Sequence, residues 1–284
     1  MAEISPLAAV DPQATLADDV KIGPFCQVGP KVTLGPGTRL ISNATILGRT
    51  TLGENNIVWP GAVLGGDPQD LKFQGEDSQL LIGSHNEFRE CVTIHKGTAN
   101  DHGLTKVGDH NLIMAYAHLG HDCIVNNHCI IANTVQLAGH VCIEDHVVIG
   151  GGSAVHHFVT LGMHAFIGGF TRVLQDPPPF MITEGSPSAV RGVNSTGLVR
   201  RGFSQETIGH LKDAWKRLYR RSSAGKAGRT ATVLEDLEDA YPHDACVLAL
   251  VAHVRRGAQG VFGRYREGLR RDNPRSKRPR VAGK

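Results

Sequence analysis

The chain has 284 residues, 40% hydrophobic but only 5% aromatic, with 34 glycines and a formal net charge of +3. That length admits one large domain plus a smaller one, and so small a charge gives no electrostatic footprint for nucleic acid. Residues 1–19 lack a basic start followed by an apolar run, no stretch approaches a membrane span, and the six cysteines have no CxxC zinc spacing. A cytoplasmic protein with reduced thiols is expected.

In chain order, the first feature is a ladder of period six. It begins near Val10 and Leu16 and continues through Ile22, Val28, Leu34, Leu40, Ile46, Leu52, Val58 and Leu64. A short rung follows at Ile82, Phe88 and Ile94. The pattern resumes at Val107 and runs unbroken through Ile113, Leu119, Val125, Ile131, Leu137, Ile143, Ile149, Val155, Leu161 and Ile167 to Val173. Neither the helical period nor simple strand alternation gives a strict six. Hexapeptide repeats build a parallel β-helix in which each unit is a short strand and a corner. The aliphatic residue points inward. The residue two before it is thin (Val20, Cys26, Ala117, Cys123), and the residue after it is often glycine (Gly23, Gly35, Gly120, Gly150), which is expected to supply the turn conformation.

Two polar insertions, 66–80 and 95–105, interrupt the ladder, and insertions in a solenoid commonly carry function. Pro177, Pro178 and Pro179 end it, because proline cannot donate to a ladder. The period then becomes helical. Ser204 is a candidate N-cap ahead of Ile208, Leu211, Trp215, Leu218 and Tyr219, and further helices are expected over 233–240 and 246–255, with 222–230 a loop. The expected organisation is a mainly β protein: a β-helix over 1–186, a helical domain over 187–265 and a basic, disordered tail over 266–284.

Of the 15 histidines, His85, His110, His128 and His210 read as surface residues. His118, His121, His140 and His156 are separated by near-multiples of an 18-residue coil, so they are expected along one edge of the prism as a ladder of imidazoles. Three readings fit them: an inert row, a zinc site of the γ-carbonic anhydrase kind, or general-base catalysis. Asp122 stands next to His121 as a carboxylate helper.

At these residues the sequence acquires a resemblance. It rests on IGPFCQVGP at 22–30, PQDLK at 68–72, VTIHKGT at 92–98, GLTKVG at 103–108, AHLGHDC at 117–123, LAGHV at 137–141, AVHHF at 154–158 and GVNSTGLVRRGFS at 192–204. In this order and spacing, over about residues 8–221, the chain resembles the UDP-N-acetylglucosamine 3-O-acyltransferases, which open lipid A synthesis. The resemblance implies a left-handed winding and a homotrimer with sites between neighbouring β-helices. It implies a (3R)-hydroxyacyl donor on acyl carrier protein, the 3-hydroxyl of UDP-N-acetylglucosamine as acceptor, and no metal or cofactor beyond the carrier's phosphopantetheine.

Residue by residue, the resemblance makes His121 the general base and the Gly139 N–H the oxyanion donor. His118, His140 and His156 match positions that shape the site. Gln69, Asp70 and Lys72 match acceptor contacts, while His95, Asn194 and Arg200 match nucleotide and phosphate positions. Gly169 matches the acyl-chain ruler, where a glycine implies long chains. His157, Thr196 and Pro187 depart from common family residues and bear on acyl length and acceptor detail. Some members use a 3-amino sugar, which leaves that acceptor as an alternative. Lys212, Lys216, Arg217, Arg220 and Arg221 are candidates for docking the acidic carrier. The competing readings are an N-acylating sister enzyme, a coenzyme-A-dependent acetyltransferase, the zinc hydratase and a non-catalytic scaffold.

Overall fold

A computed structural model of the chain describes residues 1–220 and 227–270, giving the backbone alone for 227–230. The ladder closes into a triangular prism of parallel strands whose three faces carry 11, 9 and 8 strands. Partners one coil apart in the regular part differ by 18 residues, as in His118 opposite Gln136 and Ile131 opposite Ile149. From Ile22 onward every ladder aliphatic is buried, and the column they form is the main core. Each such side chain contributes about 1.5–3 kcal/mol by leaving water. The cysteines are unpaired thiols, and burial pushes Cys123 and Cys129 up to about 12.

The glycines after the aliphatics have a different job from the one expected. The left-handed corner conformation falls mostly on other residues, among them Phe25 (φ 60°), His110 (58°), Asp122 (59°) and His140 (65°). Gly23 and Gly35 are required by stacking. A Cβ on Gly23 would lie 1.7 Å from the Ile41 carbonyl oxygen, and one on Gly35 would lie 2.6 Å from that of Gly53.

These corner residues trace the edges of the prism. The second–third edge carries Asp122, His140 and Phe158, and the third–first edge carries His85, His110, His128, His146 and His164. The latter five form an uninterrupted stack with centroids 4.7–4.8 Å apart. His85, His110 and His128 are exposed, as expected of surface residues, but they stand in a stack. Inside the same edge, Asn56, Asn86 and Asn111 form a buried amide ladder in which Asn86 Nδ2 donates to Asn56 Oδ1 at 3.0 Å.

The first insertion is narrower than expected, since Val63–Gly66 and Gln79–Ile82 are strands; the second lies between Thr93–His95 and Leu104–Val107. After the prolines the chain returns to the first face. Met181–Glu184 joins it in parallel and Ala189–Val193 pairs back antiparallel, so the division expected after 186 falls inside a hairpin. The helices are α1 (Ser195–Arg200), α2 (Gln205–Trp215, continued by a π-turn to Arg220), α3 (Ala227–Ala240), α4 (Ala245–Gln259) and α5 (Tyr265–Gly268). Ser204 caps α2, accepting from the Thr207 N–H, and Ile208, Leu211, Leu237, Leu250 and Val251 bury a second core against Phe180 and Met181. His210 is tied by its Nδ1 to Asp244 at 2.8 Å, which fastens α2 to the N-cap of α4.

Candidate active site

Asp122 is 2% exposed and anchors the site. Its carboxylate accepts from the Thr98 N–H at 2.9 Å, the Thr98 hydroxyl at 2.7 Å and His121 Nδ1 at 2.8 Å, while its own N–H donates to Thr105 Oγ1. The second insertion therefore serves as the wall that fixes the aspartate, and the aspartate fixes the imidazole. With Nδ1 committed, His121 Nε2 is the nitrogen left for a substrate.

Gly139 lies against the face of that ring. A Cβ built on it would fall 2.6 Å from His121 Cε1 and 2.7 Å from Nε2. The Gly139 N–H has no acceptor among the described residues. An imidazole base and an unpaired backbone donor thus stand side by side, as oxyanion stabilisation during acyl transfer requires.

His140 sits one coil above, edge-on to His121 with centroids 4.9 Å apart. The expected imidazole ladder stops there, because the ring stacked on His140 is Phe158, at 4.2 Å, and His156 instead lies against His157. On the other side of His121, His118 shares a hydrogen bond with the Thr93 hydroxyl at 2.8 Å and meets His95 edge-on at 4.9 Å. Burial, and then the charges of His118 and His121, push His95 down to about 4; burial and His121 lower His118 in the same way. His95, 8% exposed, has a buried Nδ1 with no hydrogen-bond partner among the described residues.

The cleft over this edge has a volume of about 710 Å³. Gln69, Asp70 and Lys72 from the first insertion line it with His121, Gly139 and His140. So does His157, expected to bear on acceptor detail, and so do Asp101, Phe158 and Arg266, none of them among the expected site residues. Arg266 had been placed in a disordered tail, but its guanidinium donates to the His140 carbonyl at 2.6 Å and α5 is ordered; of that tail, 271–284 lie outside the described residues.

Asn194 and Arg200 are not brought to His121. Asn194 caps α1 and donates to the His164 carbonyl at 3.0 Å, on the third–first edge. Gly169, on the first–second edge, has room: a Cβ there would meet only the Gly151 carbonyl oxygen, at 3.4 Å, beside the exposed ring of Phe170. Lys216, Arg217 and Arg220 border one depression at the end of α2 together with Asp213, which pairs with Arg217 at 2.7 Å; Lys212 lies on α2 outside that lining, and Arg221 lies outside the described residues.

Ligand atoms of His121, Asp122 and His140 come within 4.8 Å of one another, a grouping of metal-binding composition. The carboxylate in it, however, already accepts from three donors, one of them His121 itself, and a metal bound through Oδ2 and His121 Nδ1 would displace that hydrogen bond.

A prism of six-residue repeats with a carboxylate-held imidazole on its edge defines a hexapeptide-repeat transferase. The profile described as bacterial transferase hexapeptide (six repeats) matches residues 104–139, and that of UDP N-acetylglucosamine O-acyltransferase, domain 2, matches residues 176–262. An acyl-[acyl-carrier-protein]–UDP-N-acetylglucosamine O-acyltransferase of Verminephrobacter eiseniae is 47% identical over 251 residues, 88% of this chain and 95% of that one. The structure of LpxA from Acinetobacter baumannii matches with a TM-score of 0.81 at 39% identity, covering 88% and 96% of the two chains. That of Francisella novicida UDP-N-acetylglucosamine acyltransferase matches at 0.83 and 36%, covering 89% and 91%. The chain belongs to the acyl-[acyl-carrier-protein]–UDP-N-acetylglucosamine O-acyltransferase family, and its fold is the left-handed β-helix of that family.

Proposed function

We propose that this protein transfers a (3R)-hydroxyacyl chain from acyl carrier protein to the 3-hydroxyl of UDP-N-acetylglucosamine, the first step of lipid A synthesis. The observation that carries the mechanism is the His121–Asp122 hydrogen bond of 2.8 Å with the Gly139 backbone packed on the same ring. His121 Nε2 takes the proton of the 3-hydroxyl as that oxygen attacks the thioester carbonyl. Asp122 holds the ring and offsets the charge of the imidazolium. The Gly139 N–H receives the oxyanion of the tetrahedral intermediate. Collapse breaks the carbon–sulfur bond, and the departing thiolate takes the proton back from His121. The ester and the free carrier thiol are the products, and the steps use no cofactor.

Gln69, Asp70 and Lys72 would hold the sugar at the cleft wall, with His95 and His118 shaping the adjoining depression beside His121; His156, which lines neither, would act only from the rim. Asn194 and Arg200 are assigned to the nucleotide. They lie on a different edge from His121, so they would act on the site of a neighbouring copy, which supports a homotrimer with shared clefts. Lys212, Lys216, Arg217 and Arg220 offer a basic surface to the acidic carrier. No helix among the described residues is long and apolar enough to cross a membrane, and a cytoplasmic location agrees with a carrier-borne donor.

The test is a transfer assay with UDP-N-acetylglucosamine, its 3-amino counterpart and hydroxyacyl carriers of graded length, run on the wild type and His121→Ala. Product on the hydroxyl sugar, lost in the variant, supports the reading, and the best donor tests the ruler role of Gly169. Product on the amino sugar alone would move the acceptor. Full activity in His121→Ala would overturn the base assignment.

A further inference from the structure

The cleft contains a second carboxylate–imidazole pair that the mechanism above does not use. Asp101 Oδ2 accepts from His140 Nδ1 at 2.8 Å, and the two side chains are 19% and 14% exposed. The loop that carries Asp101 is pinned at its base. Thr98 is tied to Asp122, the Gly103 N–H donates to the Thr98 carbonyl at 2.9 Å, and a Cβ on Gly97 would lie 2.0 Å from the Leu104 nitrogen. His140 is held on its other sides as well. Its ring lies flat on Phe158 and edge-on to His121, and its carbonyl accepts from Arg266.

The alternative partner for His140 is Asp122, whose Oδ2 lies 3.9 Å from the same Nδ1. That oxygen already accepts from His121 and the Thr98 hydroxyl. Without Asp101, His140 would turn toward it and compete with His121 for the carboxylate that orients the base.

We propose that Asp101 is a positioning residue: it fixes His140 with Nδ1 protonated and Nε2 free for substrate, and keeps His140 off the carboxylate that serves His121. This deepens the acyl-transfer reading of the cleft and rests on it. The hydrogen bond from His140 holds the Asp101 carboxyl below its usual range against the opposing effect of burial, so the pair persists as an anion accepting a proton-bearing nitrogen. Orienting partners of this kind set the tautomer of a working imidazole.

The experiment compares full-length wild type with Asp101→Ala, Asp101→Asn, Asp101→Glu, His140→Ala and the Asp101→Ala/His140→Ala double variant. Three readouts are taken: kcat and KM in the transfer assay, Tm, and NMR of 15N-histidine-labelled protein, which reports the tautomer of each ring. Asp101→Ala is expected to lose about 10–100-fold in kcat/KM, mostly in kcat, with little change in Tm. Its His140 signals should shift from a single Nδ1-protonated form to a mixture. Asp101→Glu should recover part of the loss, and Asp101→Ala should cost nothing further once His140 is alanine. An unchanged His140 tautomer in Asp101→Ala, or a loss just as large on the His140→Ala background, would overturn the proposal. Absence of transfer in the wild type with either sugar would overturn the substrate reading instead, and the tautomer measurement would still judge Asp101.

Discussion

Replacing Gly139 by alanine tests the core of the proposed chemistry with a single methyl group. Gly139 does not have a left-handed φ, so alanine meets no backbone penalty there. Its Cβ would fall 2.6 Å from His121 Cε1, 2.7 Å from Nε2 and 3.1 Å from Nδ1, where ordinary contact begins at 3.4 Å. These atoms belong to the end of a rotatable side chain, so the ring, not the backbone, gives way by about 0.8 Å. A retreat of that size stretches the 2.8 Å bond to Asp122 and carries Nε2 off the line of the acceptor hydroxyl. A misplacement near 1 Å costs roughly 10²-fold in rate, equivalent to about 2.7 kcal/mol of barrier. Stability should change by less than about 1 kcal/mol, because the displaced ring moves toward the cleft and Asp122 keeps its Thr98 donors. Steady-state transfer assays beside thermal unfolding separate the two effects. Gly139→Ala with activity within about threefold of wild type would refute the placement of the base and the oxyanion donor together.

Asp122→Asn should cut kcat by about 10²–10⁴-fold, since an amide presented to Nδ1 through its NH2 group reverses the tautomer of His121; it should also lower stability by about 1–3 kcal/mol, because the Thr98 hydroxyl, which donates to that same oxygen, loses its acceptor while the Thr98 N–H keeps Oδ1. Wild-type activity in that variant would detach Asp122 from catalysis. Gly23→Ala, far from the cleft, should lower stability by about 1–3 kcal/mol or more without touching the kcat of folded protein, because its Cβ meets backbone at 1.7 Å; denaturant titration checks it. His164 is pushed down to about 4, chiefly by burial and then by His146 and Arg201. The unfolded chain therefore binds the proton first, and stability present above pH 6.5 falls as pH drops toward 4. His164→Phe keeps the ring stack and loses no hydrogen bond from the unpaired Nδ1, so it should reduce that fall by on the order of 1–2 kcal/mol after allowing for partial exposure. An identical Tm–pH slope in the variant would rule out His164 as a contributor.

The β-helix was legible because each ladder residue reports its own burial: an aliphatic every six residues has one geometric explanation, and those from Ile22 to Val173 all face the core. The His121–Asp122 pair was legible as a neighbour relation. Asp101 and Arg266 were not, because they reach His140 from 39 and 126 residues away, and their arrival depends on a loop and a terminal helix with no periodic signal. The histidine column was missed for another reason. Its signal was present in the spacing of His110, His128, His146 and His164, each 18 residues from the next. Those positions hold the left-handed corner conformation, which the sequence suggests for the glycines instead.

The corners explain both the column and the site. On the third–first edge the left-handed slot of five successive coils, from His85 to His164, is filled by an imidazole, and identical slots produce a stack at strand spacing. On the second–third edge the same slot holds Asp122, then His140, then Phe158. Putting a carboxylate into a slot used elsewhere for rings turns it inward, against the Thr98 donors, and leaves His121, one residue before the corner, to supply the imidazole. The proposed catalytic geometry thus arises from a substitution within the lattice, and the insertion at 96–103, through Thr98, supplies the donors that hold it. Asp122 is almost wholly buried, and without the Thr98 donors its charge would be held by His121 alone.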